Sequence, residues 1–169
     1  MKKTLALVLC LGLITFLLLA CISTPEKIGE KKTQKGKSTK SLEFKAGDEI
    51  KIREKILVVA GITRNWQSSS QFMEPSEGKE FVLIGISLAN LGQNAIDLSP
   101  WDFKIQDSAG VRTTPSSYPD IPEAFPLFVE LGPQGKLSGN LLFEVKAGDQ
   151  SLKFIFRSSP FEAEVVVNL

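Results

Sequence analysis

A chain of 169 residues with 20 basic and 19 acidic side chains, two cysteines and no histidine is close to electroneutral. Without histidine it lacks the commonest general base and the commonest transition-metal ligand, which excludes Ser-His-Asp and Cys-His nucleophile systems and zinc sites of the His or Cys type. The charge is divided along the chain. Residues 22–40 carry six lysines against two glutamates, net +4, and residues 41–169 carry 12 basic and 17 acidic groups, net −5, which argues against nucleic acid as a partner.

The first element is an export signal. Lys2 and Lys3 supply a positive start, Leu5 to Leu19 an apolar run broken only by Gly12 and Thr15, and Ala20 the small residue before Cys21. The stretch Leu18-Leu19-Ala20-Cys21 resembles the lipobox of prokaryotic lipoproteins. The resemblance implies cleavage between Ala20 and Cys21, with diacylglycerol on the Cys21 sulfur. Cys10 does not qualify, because the bulky Leu9 precedes it. The apolar run is also about the ~20 residues that a spanning helix needs, so an uncleaved anchor is the alternative. Both readings place residues 23–169 on the extracytoplasmic face of the cell membrane.

Residues 21–40 follow as the lipidated cysteine and a basic linker with almost no apolar side chains, too polar to order itself. As a flexible coil, residues 22–40 would span roughly 25 Å. A lysine-rich segment beside an anionic leaflet can gain on the order of 1 kcal/mol per lysine. The remaining residues, 41–169, are the size of one domain. With Cys21 committed to lipid, that domain has no disulfide and relies on packing.

Within it the apolar period is two. Trp101, Phe103 and Ile105 alternate with polar residues; so do Leu141, Phe143 and Val145, spoiled by Leu142, then Leu152, Phe154 and Phe156 with Lys153 and Arg157, and finally Phe161, Ala163, Val165 and Val167 with Glu162 and Glu164. Such half-buried strands belong to an antiparallel sheet with one wet face. Ile56–Ala60 and Phe81–Ala89 are apolar on both faces and read as central strands. With turn signals between the runs, strands are expected at 42–45, 49–54, 55–63, 80–90, 94–98, 101–107, 126–130, 136–145, 151–157 and 161–168. Many short strands at this spacing predict an all-β, immunoglobulin-like antiparallel β-sandwich, preceded by a signal peptide and a disordered linker.

Four stretches also resemble a family of exported prokaryotic lipoproteins and cell-surface proteins: Gly78–Gly92, Phe103–Gly110, Leu131–Gly135 running into Gly139–Val145, and Leu152–Phe156. The family's domain is of unknown function. The resemblance implies a telokin-like, immunoglobulin-type sandwich similar to that of a mycobacterial secreted immunoprotective antigen, and brings no catalytic or binding residues. Asn90, at the end of the first stretch, reads as a turn-forming structural residue.

Two loops exceed the ~12 residues usual for a connection. Residues 63–78 contain Trp66, Phe72 and Met73. Residues 113–126 contain four prolines, Tyr118 and Phe125. Rigid aromatic side chains in loops make contact anchors, and these five are the candidate binding residues, for a protein or glycan partner at the cell surface. The alternative is that the loops fold over the sandwich and their aromatics plug its core. No carboxylate pair is distinguished by spacing, and Asp97, Asp102, Asp107 and Asp120 lack calcium-loop spacing. The expectation is therefore a non-enzymatic binding module without metal or cofactor, held to a membrane by lipid. An accessory structural subunit of an envelope or transport complex is the runner-up.

Overall fold

The computed structural model describes residues 26–27, 44–70, 72–117, 120–159 and 162–169. The signal, Ala20, Cys21 and Tyr118 lie outside the described residues. In chain order the strands are β1 (Glu26–Lys27), β2 (Phe44–Lys45), β3 (Glu49–Ile52), β4 (Lys55–Arg64), β5 (Lys79–Asn90), β6 (Ile96–Leu98), β7 (Phe103–Gln106), β8 (Arg112–Thr113), β9 (Val129–Leu131), β10 (Lys136–Lys146), β11 (Lys153–Phe156) and β12 (Val165–Asn168). They form a β-sandwich. Sheet A has the order β1-β3-β4-β5-β10 and sheet B the order β2-β12-β11-β7-β8, with β6 and β9 as a separate ribbon. All pairs are antiparallel except β2 with β12.

Alternation decides which side chains enter the space between the sheets. Val82, Ile84, Ile86 and Leu88 of β5, Leu141, Phe143 and Val145 of β10, Phe103 and Ile105 of β7, Phe154 and Phe156 of β11, and Val165 and Val167 of β12 form one buried cluster. Its centre is aromatic. Phe103 stacks on Phe156 at 4.9 Å and on Phe154 at 5.7 Å, and Phe143 meets Phe154 edge-on at 6.2 Å. Offset and edge contacts of this kind each add about 0.5–1.5 kcal/mol beyond area burial.

A bulge between Val59 and Gly61 inserts Ala60 into β4. The extra residue shifts the alternation by one, so that Ile62 rather than Gly61 packs against the core. Ion pairs close the two ends of the inter-sheet space. At one end Lys55, 8% exposed, donates to the Glu162 carboxylate at 2.8 Å and to Ser158 Oγ at 2.7 Å. At the other, Arg64 pairs with Glu80, which is 3% exposed. Glu80 also accepts from the backbone N–H groups of Asn65 and Gly148.

Two local expectations change. Pro100-Trp101-Asp102 form a 3-10 turn ahead of β7, with the Asp102 carboxylate accepting from the Ser99 N–H at 2.8 Å. Trp101 therefore leaves the alternation and is half exposed. The break expected between strands 49–54 and 55–63 falls at Arg53-Glu54, Arg53 having φ +52°, with no glycine or proline at the turn. Within the expected linker, Glu26 and Lys27 pair with Lys51 and Ile50 and add an edge strand to sheet A. Strand pairing uses backbone groups, so a polar segment can supply it.

Candidate functional site

The two long loops cross the outer face of sheet A. On that face β5 presents Phe81 and Leu83 and β10 presents Leu142, and among the described residues no further sheet or helix covers them. The loops do so instead. Met73, Phe81, Leu83 and Leu142 form a second buried cluster, with Trp66 and Ile121 packed on it. Trp66 is half-buried, its ring 6.4 Å from that of Phe81. Met73 is 7% exposed, and Phe125 reaches the main core, edge-on to Phe103 at 5.3 Å. Phe72 is 89% exposed. Of the described loop candidates, then, Met73 and Phe125 are packing residues, Trp66 is shared between packing and surface, and Phe72 stands in solvent.

The second loop is clamped to β10. Ser116 N–H donates to the Leu142 carbonyl at 2.7 Å, Phe125 N–H to the Asn140 carbonyl at 2.9 Å, and Asn140 N–H to the Glu123 carbonyl at 2.9 Å. Asn140 Nδ2 also donates to the Pro122 carbonyl at 2.8 Å. The loop lies so close that a Cβ on Gly139 would fall 2.8 Å from Phe125 Cα. Between these clamps and the 3-10 turn opens a cleft of about 440 Å³, lined by Trp101, Ser117, Ile121, Phe125, Leu127 and Leu142 among others. The lining takes Leu141 from the inter-sheet core and Leu142 from the outer cluster, which puts the cleft at the β10 edge, the side of sheet A opposite β1.

Its mouth is unusually apolar for a surface. Trp101 is 50%, Leu127 53% and Phe128 78% exposed, and the Trp101 and Phe128 rings are 5.4 Å apart. Sequence reasoning missed all three, because Trp101 completes an alternating run and Leu127 and Phe128 fall in an expected strand. The available signal was Pro100 and Pro126, each interrupting a run just before the residues concerned.

The described lining residues of the cleft carry no ionisable side chain; Ser116, Ser117 and Asn140 are its polar groups. Carboxylates elsewhere have structural work. Arg64, bonded to Glu80, holds that carboxyl below the ordinary range against the opposing effect of burial. Burial pushes Glu162 up, but Lys55 and Ser158 outweigh it and its pKa is lowered. Backbone N–H groups of Ser108 and Ser151 lower Asp149. Burial raises Asp102 despite its Ser99 bonds. Asp107 accepts from the N–H groups of Ala109 and Val111 in its own turn, and Asp120 from Ser68. Among the described residues no three acidic or cysteine side chains gather as a metal-binding group.

Residues 44–166 match a family described as a domain of unknown function (DUF4352). No curated protein matches the chain. Among solved structures, YjhA of Bacillus subtilis superposes with a TM-score of 0.60 at 13% identity, covering 75% of this chain and 98% of that one. The candidate lipoprotein YcdA of Bacillus subtilis has a TM-score of 0.59 at 13% identity, covering 70% of this chain but only 37% of its own. A β-sandwich protein of Clostridium difficile has a TM-score of 0.51 at 13% identity, covering 81% of this chain and 99% of that one. At such identities the likeness is one of fold.

Proposed function

The chain belongs to this family of domains of unknown function, and we propose that it is a membrane-anchored, extracytoplasmic, non-enzymatic binding module whose partner sits at the β10-edge cleft. The observation that carries this reading is an apolar cleft of about 440 Å³ whose mouth keeps Trp101, Leu127 and Phe128 in solvent. Concave apolar sites with a few convergent polar groups are the usual form of a ligand pocket, and exposed aromatic anchors are the usual source of its affinity. Because the chain's own loops cover the outer apolar face of sheet A, and three of the six exposed large apolar side chains among the described residues gather at this mouth, recognition at loop ends is favoured over a flat subunit interface.

The anchor rests on the leader and Cys21, and the candidate-lipoprotein status of YcdA agrees with it. The tether enters through β1, four strand spacings from β10 in sheet A. At ~4.8 Å each that is about 19 Å, which would hold the cleft away from the edge nearest the membrane. Two experiments test the proposal. Cys21→Ala should abolish lipid incorporation and processing; lipid labelling that persists would refute the anchor. Trp101→Ala and Phe128→Ala should remove partners that the native protein captures from its own envelope extract, while Phe72→Ala keeps them and melting changes little. An identical captured set in all variants would refute the cleft.

A further inference from the structure

Building on that reading of the cleft, we propose that its partner is a basic polypeptide segment, with an apolar side chain seated in the cleft and lysine or arginine side chains on either side. Residues 94–103, 113–117 and 120–135, which build the cleft mouth and the β6–β9 ribbon beside it, contain five carboxylates and no lysine or arginine. Asp97 and Glu130 stand directly opposite one another across that ribbon, both exposed. Like charges so placed are mutually destabilising, and among the described residues neither carboxylate has an ion-pair or hydrogen-bond partner.

Four carboxylates elsewhere on the molecule are paired with cations: Glu80 with Arg64, Glu162 with Lys55, Glu144 with Lys79, and Glu164 with Arg112. At the apolar mouth, by contrast, four exposed carboxylates, Asp97, Asp120, Glu123 and Glu130, stand without a cation partner among the described residues. Asp97 and Glu130 share a depression of about 410 Å³ with Phe128, and Phe128 contacts Trp101 at the cleft. On the other flank, exposed Asp120 and Glu123 bracket Ile121, a lining residue, with Pro122 between. An apolar slot with carboxylates on two sides is complementary to an apolar anchor between cations. The open faces of Trp101 and Phe128 add cation–π attraction for the same groups. The negative sign disfavours an anionic lipid surface as the occupant.

The test uses the mature lipidated protein in detergent carrying Trp66→Phe, which leaves Trp101 as its one tryptophan reporter, since the chain has two. Three nine-residue peptides with a central leucine, flanked by lysine, glutamine or glutamate, are titrated by fluorescence and calorimetry. The lysine peptide should bind at least tenfold more tightly than the other two, and more weakly as salt rises. Asp97→Asn with Glu130→Gln should cost about fivefold in affinity, the effect of two rim charges, and reduce the salt dependence while leaving thermal stability equal or higher. Equal binding of all three peptides, lost on Phe128→Ala, would overturn the basic partner and leave the cleft intact as a binding site. Lysine-peptide binding that survives both Trp101→Ala and Phe128→Ala, read calorimetrically, would overturn the cleft itself. Failure of every peptide to bind would overturn the proposal.

Discussion

Asn90 closes β5 with 1% exposure, and its side chain ties two turns together. Nδ2 donates to the carbonyls of Asn94 at 2.8 Å, Leu131 at 3.0 Å and Gly132 at 3.0 Å, while Oδ1 accepts from the Gly92 N–H at 2.9 Å. Asn90→Ala would strand one or two of these buried backbone groups, at about 1–3 kcal/mol each, so a loss of about 3 kcal/mol is expected. For roughly 125 folded residues with an unfolding entropy of about 2.1 cal/mol/K each, that is a fall of about 12 °C in Tm. Asn90→Asp keeps the shape but sets a carboxylate against three carbonyl oxygens, which raises its folded-state pKa above the unfolded value of about 3.9. Stability linked to a raised pKa is present below the unfolded value and lost as pH rises through the folded one. Asn90→Asp should therefore be less stable than Asn90→Ala at pH 7, and the gap should close toward pH 4. Circular-dichroism melts and urea titrations across that range measure both. A loss below about 1 kcal/mol for alanine, or a gap that does not move with pH, would refute the clasp.

Acid should destabilise the native fold, since Glu80, Glu144, Glu162 and Asp149 all titrate below their ordinary values. Their contribution is complete above the unfolded pKa values of about 4.3 for Glu and 3.9 for Asp and is lost as pH falls through the lower folded ones, with Asp102, shifted upward, opposing. Glu80→Gln should flatten the stability–pH profile below about pH 4.5, and melts that keep the native slope would count against the Arg64–Glu80 pair as its source. Gly139→Ala forces its new Cβ against the Phe125 backbone; it should cost about 1–3 kcal/mol and shift Trp101 emission as the loop lifts from β10, whereas unchanged melting and emission would mean the loop gives way freely. In the first loop, Phe72→Ser should stay within about 0.5 kcal/mol of the native protein while its neighbour Met73→Ala loses about 2 kcal/mol or more, and equal urea midpoints for the two would contradict their opposite burial.

Local patterning carried most of the fold. The alternation through Phe103–Gln106 and Phe143–Val145 announces both the strands and the faces they bury, because side-chain direction along a strand has a fixed period. The two-faced apolarity of Phe81–Ala89 announces cover on both sides, though not what provides it. Asn90 is legible as structural, but its reach to residues 131 and 132 is not. The bulge at Ala60 and the escape of Trp101 from its run break the period without a glycine signature. The candidate cleft was illegible for a related reason. Its mouth joins residues 101 and 127–128 with the β10 edge, and those segments meet only when the second loop is hydrogen-bonded across Asn140 and Leu142. By itself the sequence determined the divided charge and the all-β periodicity, since each is written in neighbouring residues. Tertiary structure alone decided which large loop side chains were used in packing, as Met73 and Phe125 were beside their loop neighbours, and which stayed in solvent, because burial depends on what the rest of the chain lays over a side chain.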